Sequence, residues 1–180
     1  MSTANHWEDH SAELAKMKIL IIDDEPVNVA LLEEILVEND YTRFQSVLDS
    51  KLALEVYKTF SPDLVLLDLM MPPPDGFAIL ESLRADVGDA FLPVVILTAD
   101  TNEETKRRAL ETGATDFLLK PFDHVEVALR IRNLLKSRCA HQLLDNQRAA
   151  LEDAVRERTA ELRATIAELH KTNELLSQSV

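Results

Sequence analysis

Residues 62–76, PDLVLLDLMMPPPDG, combine an apolar run, an aspartate at the end of that run and three successive prolines. Residues 64–67 are continuously apolar, as in a strand of a parallel sheet that is covered on both faces. The prolines at 72–74 exclude a helix or a central strand until Asp75. The stretch therefore predicts a buried strand with Asp68 at its carboxyl end, where open α/β sheets place their ligands. The plainer alternative is an aspartate that only caps a turn.

Apolar strands alternate with helical patterns along the rest of the chain. Further strands are predicted at residues 18–22, 43–47, 92–97 and 115–119, and helices at residues 26–38, 50–60, 77–86, 102–112 and from 122 onward. Five strands alternating with five helices predict a doubly wound α/β fold, with a five-stranded parallel sheet and helices on both faces. In the flavodoxin-like strand order 2-1-3-4-5, the ends of the first and third strands flank the crevice at the switch point.

Composition limits the classes of protein that this chain can belong to. Its 180 residues suffice for one ordinary core with an extension, and the hydrophobic share of 46% is typical of globular proteins. No apolar run approaches the roughly 20 residues that span a bilayer, and the start lacks a secretory signal. We therefore expect a cytoplasmic protein with no membrane partner. The net charge of −13 argues against nucleic acid as a partner, because phosphate neutralisation needs a basic face.

Periodicity divides the chain into three parts. Residues 1–16 carry no clear period and are predicted to be a flexible lead-in, in which Trp7 has no explanation. Residues 17–137 form the predicted domain, and residues 138–180 form a helix continuous with the fifth helix of that domain. Cys139 is the single cysteine and is interpreted as a small apolar filler in this helix.

The C-terminal helix carries the pattern of a coiled coil. Residues 122–180 contain no glycine or proline, and a ladder of four- and three-residue steps begins at Leu144. Its apolar rungs are Leu144, Leu151, Val155, Leu162, Ile166, Leu169, Leu176 and Val180, and its polar rungs are Arg148, Arg158 and Asn173. One additional four-residue step near Leu162 is a stutter, which locally unwinds a supercoil. The pattern predicts a homodimeric coiled coil, and the alternative is a helix that folds back on its own domain.

Polar side chains follow four of the predicted strands at the points where those strands end. They are Asp23, Asp24, Asp68, Thr98 and Lys120. Because parallel strands end at one edge of the sheet, we expect these side chains to converge. Carboxylates that lie close together repel each other unless a cation compensates, and Mg²⁺ prefers such hard oxygen ligands. A phosphoryl group on Asp68 would then meet Mg²⁺, the Lys120 ammonium and the Thr98 hydroxyl, which together stabilise charge on its oxygens.

Five motifs in residues 17–137 resemble those of the receiver domains of two-component response regulators. They are Ile21-Ile22-Asp23-Asp24-Glu25, Leu66-Leu67-Asp68-Leu69-Met70-Met71-Pro72, Asp75-Gly76, Leu97-Thr98-Ala99 and Lys120-Pro121-Phe122. The resemblance implies that Asp68 is the phosphoacceptor and that Thr98 and Lys120 bind the phosphoryl group. It also implies a magnesium site formed by Asp23, Asp24, Asp68 and the backbone carbonyl of Met70.

The same resemblance assigns a switch and a peptide geometry. Phe117 matches the switch aromatic of the family, paired with Thr98, and the Lys120-Pro121 bond is expected to be cis. Phe117 lacks the hydroxyl of a tyrosine, so that packing alone would hold it inward; the alternative is an ordinary core residue. Pro73-Pro74 departs from the smaller residues that are usual in this loop, which bears on loop mobility and not on chemistry.

The implied function is that of a response regulator, with a histidine kinase or phosphotransfer protein as its partner. The chain is not expected to be an enzyme in its own right. Residues 155–162 are similar to helical linkers that join receivers to cyclic-di-GMP phosphodiesterase, diguanylate cyclase or histidine-kinase modules. No such module precedes residue 180, and we expect an output module outside this chain. The alternative is a stand-alone dimeric adaptor whose output is the coiled coil itself.

Two other classes of function are less well supported. A haloacid-dehalogenase-like phosphatase also uses an aspartyl-phosphate, but it needs an acid two residues after the nucleophile, where this chain has Met70. A scaffold with a degenerate receiver is disfavoured because all five polar residues are present. His124 and His141 do not stand in a sequence pattern typical of metal ligands or of a nucleophile and its base, and they are interpreted as surface or packing residues.

Overall fold

The computed structural model describes residues 13–87, 91–100 and 102–177. Most of the predicted lead-in, with Trp7, therefore lies outside the described residues. By its packing the chain divides into two units, Met1–Cys139 and Ala140–Val180. The first unit contains the sheet and its covering helices, and the second consists of the C-terminal part of the last helix.

Strands and helices alternate as the sequence predicts. The strands are β1 (Ile19–Ile22), β2 (Phe44–Val47), β3 (Leu64–Asp68), β4 (Val94–Thr98) and β5 (Asp116–Leu119). The helices are α1 (Pro26–Glu38), α2 (Ala53–Phe60), α3 (Gly76–Val87), α4 (Glu103–Glu111) and α5 (His124–Ser177), with a 3₁₀ turn at Ser50–Leu52 before α2.

The five strands form one parallel sheet in the order β2-β1-β3-β4-β5, which confirms the predicted flavodoxin-like arrangement. The order in which strands are added reverses at β1, because β2 lies on one side of β1 and β3 lies on the other. Ile22 pairs with Leu67, so β1 and β3 end side by side. The residues that follow these two strands therefore meet at the switch point.

Apolar side chains from alternating strand positions fill a core on each face of the sheet. In β1, Ile19 and Ile21 point to one cluster, and the intervening residues point to the other. The first cluster is covered by α1 and α5, whose Ile131 is fully buried, and the second is covered by α3, whose Leu80 is fully buried. Burial on both faces explains why β1 is continuously apolar and why β3 and β4 are apolar up to their last residues, Asp68 and Thr98.

Several element boundaries differ from the sequence prediction by one to three residues. β4 begins at Val94 and not at residue 92, because Pro93 has no N–H for the ladder, and it includes Thr98. The helix predicted at 50–60 is divided, because the Asp49 carboxylate accepts a hydrogen bond from Lys51 N (3.0 Å) and starts a separate 3₁₀ turn. Leu14, within the predicted lead-in, is buried in the first core cluster.

The predicted long helix is present and runs to Ser177. In the second unit of the chain, every side chain from residue 143 to residue 171 is exposed. The exposed side chains include the apolar rungs Leu144, Leu151, Val155, Leu162, Ile166 and Leu169, each 52–65% exposed. The dimeric coiled coil stays a prediction. Among the described residues, no helix has both the length and the apolarity that a membrane span requires.

Candidate functional site

Asp68 is the last residue of β3 and is only 4% exposed. One carboxylate oxygen accepts a hydrogen bond from Met70 N (3.2 Å), as in a capped turn. The other oxygen lies 3.0 Å from Nζ of Lys120, the residue that follows the carboxyl end of β5. A turn cap therefore accounts for only one of the two carboxylate oxygens. The second oxygen contacts Lys120, which is distant from Asp68 in the sequence.

Three carboxylates converge at the ends of β1 and β3. Asp23, Asp24 and Asp68 each offer an oxygen, and these oxygens all lie within 4.8 Å of one another. Asp23 is fully buried, while Asp24 is partly exposed. Because the donors are hard carboxylate oxygens, their chemistry fits Mg²⁺, which prefers oxygen ligands and completes its shell with water.

Lys120 supplies the positive charge at this cluster. Its Nζ lies 2.9 Å from Asp23 Oδ2 and 3.0 Å from Asp68 Oδ2. Burial alone would lower the pKa of the Lys120 ammonium, but hydrogen bonds and attraction from the two aspartates outweigh burial and raise that pKa above its ordinary value. The ammonium is therefore a fixed cation between two buried carboxylates. The Lys120-Pro121 bond is cis, as predicted, and the Pro73-Pro74 bond is also cis.

Asp23 is held by donors that the sequence did not reveal. Oδ1 accepts hydrogen bonds from Glu25 N (2.9 Å) and from Asn28 Nδ2 (3.3 Å), and the same amide nitrogen lies 3.2 Å from Oδ2. Asn28 is the third residue of α1, where helical side chains point back toward the helix start. The sequence signal for this role was the spacing of Asn28, which stands five residues after Asp23 at the start of a helix.

Thr98 ends β4 beside the cluster and is 2% exposed. Its backbone oxygen accepts a hydrogen bond from Lys120 N (2.8 Å), so the pairing of β4 with β5 brings the two predicted phosphoryl ligands to one edge. Its hydroxyl oxygen accepts a hydrogen bond from Asp100 N (3.0 Å). The Asp100 side chain accepts a bond from Thr105 Oγ1 (2.7 Å), which is the main cause of its lowered pKa.

Phe117 lies in the middle of the β4–β5 pairing, opposite Ile96, and is half-buried. Its ring packs against the second core cluster. Lys106 Nζ of α4 lies 5.0 Å from the ring centroid, within the range of a cation–π contact. Packing alone therefore does not describe its surroundings, because a cation from α4 also contacts the ring.

The proline loop is held by two contacts that local sequence does not indicate, one to the 3₁₀ turn before α2 and one to the end of β3. Ser50 Oγ donates a hydrogen bond to the carbonyl oxygen of Pro72 (2.8 Å), and Ser50 is itself 5% exposed. Gly76 lies directly against the end of β3, because a Cβ at this position would be 2.1 Å from the backbone oxygen of Asp68. Met70, in contrast, leaves its side chain 74% exposed.

Replacing Gly76 with alanine is expected to lower the free energy of unfolding by about 2–3 kcal/mol, because the new methyl group would displace the backbone at Asp68. Chemical denaturation of Gly76→Ala measures the change. Ser82→Ala, which removes one exposed hydroxyl from the same helix, is the control and is expected to change stability by less than about 1 kcal/mol. Equal stability of Gly76→Ala and the wild type would contradict this close approach.

The structure brings Asp23, Asp24, Asp68 and Lys120 together, and it joins Thr98 to Lys120 through the backbone hydrogen bond between β4 and β5. His124 and His141, which the sequence analysis did not assign as ligands, are not part of the carboxylate cluster. His124 Nδ1 lies 3.9 Å from Glu38 Oε2, and both side chains are at least half exposed.

Similarity to known proteins identifies the family of this chain. A sequence model described as the response regulator receiver domain matches residues 19–132. A probable cyclic di-GMP phosphodiesterase of Vibrio cholerae is 32% identical over 150 residues, which cover 83% of this chain and 34% of that protein. Response regulator PleD of Caulobacter vibrioides is 39% identical over 119 residues, which cover 66% of this chain and 26% of that protein. The chain thus spans about a third or less of these relatives.

Solved structures agree with the sequence matches. The receiver domain of a Francisella response regulator has a TM-score of 0.62 and 32% identity, covering 68% of this chain and 98% of that one. Chemotaxis protein CheY4 of Vibrio cholerae has a TM-score of 0.58 and 28% identity, covering 64% of this chain and 94% of that one. With the sheet order, the acidic cluster and a match over most of its length, this chain belongs to the receiver domain family of two-component response regulators.

Proposed function

We propose that this chain accepts a phosphoryl group on Asp68 from a histidine kinase or phosphotransfer protein. The observation that carries the proposal is the Lys120 ammonium, bound at 2.9 Å to Asp23 and at 3.0 Å to Asp68. A buried carboxylate with a fixed cation beside it and two further carboxylates within reach of a metal is suited to phosphoryl transfer, in which most of the work is positioning and charge stabilisation.

Mg²⁺ is the proposed cofactor. Asp23, Asp24, Asp68 and the backbone carbonyl of Met70 would hold it, and when bound it would neutralise charge on the phosphoryl oxygens. Thr98 and Lys120 are proposed to bind the same oxygens from the side of β4 and β5. The Thr98 hydroxyl now accepts a bond from Asp100 N, and its own hydrogen is thereby directed away from that nitrogen.

The chain is proposed to act as a cytoplasmic switch and not as an enzyme with a substrate of its own. Met70 stands where a haloacid-dehalogenase-like phosphatase needs an acid, and its side chain is exposed. The output is proposed to lie in a module outside this chain. A cyclic-di-GMP phosphodiesterase is the first choice, because the similarity to the Vibrio cholerae protein covers 83% of the chain and so extends beyond the receiver at residues 19–132.

Thr98 and Phe117 are proposed to form the switch. Movement of the Thr98 hydroxyl toward a phosphoryl group would vacate space that the Phe117 ring can enter, which would change the face formed by α4, β5 and α5. The Lys106 cation over the ring would have to follow or release it. The switch therefore couples a charge added at Asp68 to a surface that includes the start of the long helix.

Phe117→Ala is expected to abolish any change in self-association that the phosphoryl mimic beryllofluoride produces, because the moving ring is removed. Sedimentation velocity with and without the mimic measures the change. Phe77→Ala is the matched control, since Phe77 is another partly buried ring under a cation, with the Arg108 guanidinium 4.0 Å from its centroid. A mimic-dependent change that survives in Phe117→Ala would contradict the switch.

The exposed apolar ladder of α5 is proposed to pair with a second copy of the chain and to transmit the switch. Six apolar rungs that are 52–65% exposed form the surface that such a dimer would bury. The other proposal for the output, a stand-alone adaptor, uses the same dimer without a further module. The two differ only in whether a longer natural chain carries an effector domain after residue 180.

Incubation with acetyl phosphate followed by intact-mass measurement tests the proposed phosphoryl transfer. The wild-type chain is expected to gain one phosphoryl group in the presence of Mg²⁺ and none when the metal is chelated. Absence of the adduct under both conditions, in protein that retains its secondary structure, would contradict the proposal.

A further inference from the structure

The fully buried Asp23 carboxylate is fixed by three donors among the described residues. Glu25 N lies 2.9 Å from Oδ1, Lys120 Nζ lies 2.9 Å from Oδ2, and Asn28 Nδ2 lies within 3.3 Å of both oxygens. The Glu25 donor is a backbone N–H, and Lys120 also binds Asp68. The Asn28 side chain contacts Asp23 without contributing charge.

The Asn28 amide is neutral, and this bears on whether Asp23 can bind a metal ion. A cation at this place would compensate the Asp23 charge and compete with a metal ion, whereas an amide fixes the carboxylate and leaves its charge in place. Asn28 is half-buried and stands in the first turn of α1, so its own position is set by the helix. Groups that orient a metal ligand from behind in this way commonly decide how tightly the metal binds.

We propose that Asn28 is a positioning residue that orients Asp23 for binding a divalent cation. The inference rests on the proposed magnesium site and adds a residue that is not among the proposed ligands of the metal or of the phosphoryl group. Without the amide, the Asp23 carboxylate would retain its bonds to Glu25 N and Lys120, and it would be free to turn about the line between them. The cost is expected in cation affinity and much less in folding.

Titration calorimetry with Mg²⁺ alone tests the inference on the full chain. Asn28→Leu preserves the size of the side chain and removes its donors, and it is expected to weaken Mg²⁺ binding about tenfold. Asn28→Ala removes the donors without adding apolar surface and is expected to weaken binding by a similar factor. Asn39→Leu is the matched control, because Asn39 caps the other end of the same helix and donates to Ile35 O (2.8 Å), far along the chain from Asp23.

The outcomes separate the inference from the function on which it rests. Weaker binding in both Asn28 variants, with wild-type affinity in Asn39→Leu and unchanged melting temperatures without metal, supports the positioning role. Wild-type affinity in both Asn28 variants overturns it while leaving the magnesium site intact, and equal losses in all three variants overturn it as a general effect on α1. A wild-type chain that binds no Mg²⁺ contradicts the proposed function itself, and the inference with it.

Discussion

Replacement of Asp68 with asparagine is expected to reduce phosphoryl transfer from acetyl phosphate to background. The amide has no nucleophilic carboxylate oxygen, and the other groups of the site do not replace it. The fold is expected to survive, because Lys120 retains its bond to Asp23 at 2.9 Å and the introduced amide preserves the shape of the original side chain. Intact-mass measurement of the phosphoryl adduct over time gives the rate.

Asp75→Asn is the matched control for this variant. Asp75 lies in the loop that follows Asp68 and accepts a hydrogen bond from Ala78 N (2.9 Å) at the start of α3, a role that an asparagine also fulfils. The control is expected to gain the phosphoryl group at the wild-type rate. Labelling of Asp68→Asn at a rate comparable to the wild type would show that another residue is the acceptor.

Leu162→Glu is expected to dissociate a dimer of this chain. The residue lies at the stutter of the apolar ladder and is 55% exposed in the single chain. In a coiled coil its side chain would be buried against the partner helix, and a carboxylate there would cost about 3 kcal/mol per pair, which weakens association roughly a hundredfold. Sedimentation equilibrium between micromolar and millimolar concentration covers this range.

Ala164→Glu provides the control, because it adds the same charge two residues away from the ladder at another exposed position. It is expected to associate as the wild type does. A wild-type chain that stays monomeric throughout, with or without a phosphoryl mimic, would remove the dimeric coiled coil. Equal weakening by both glutamates would indicate that net charge governs the association and that the ladder does not.

Much of the fold follows from local sequence. The apolar run of β3 and the abrupt ends of the neighbouring strands predicted a parallel sheet, and the strand order in the structure confirms it. The fully buried β1 and β4 carry the same signal because helices cover both faces. The boundary at Pro93 and the divided helix after Asp49 were not predicted, because the first depends on one missing N–H and the second on one side-chain hydrogen bond, and neither depends on a periodic pattern.

The candidate site was predicted as a set of residues but not as a set of contacts. Convergence of Asp23, Asp68 and Lys120 follows once the strands are parallel and ordered. The bond from Ser50 to Pro72 and the close approach of Gly76 to Asp68 depend on how distant loops pack, which local patterns do not record. The apolar ladder is exposed in the single chain, which shows a surface and does not show what covers it.

Mapping the phosphoryl group to one residue tests the central claim most directly. After incubation with acetyl phosphate and Mg²⁺, borohydride reduction converts an aspartyl phosphate to homoserine, which peptide mass spectrometry then locates. The modification is expected at Asp68 in the wild-type chain and absent when Mg²⁺ is chelated. Modification at a different aspartate, or none in folded protein that binds Mg²⁺, would contradict the assignment of Asp68 as the phosphoacceptor.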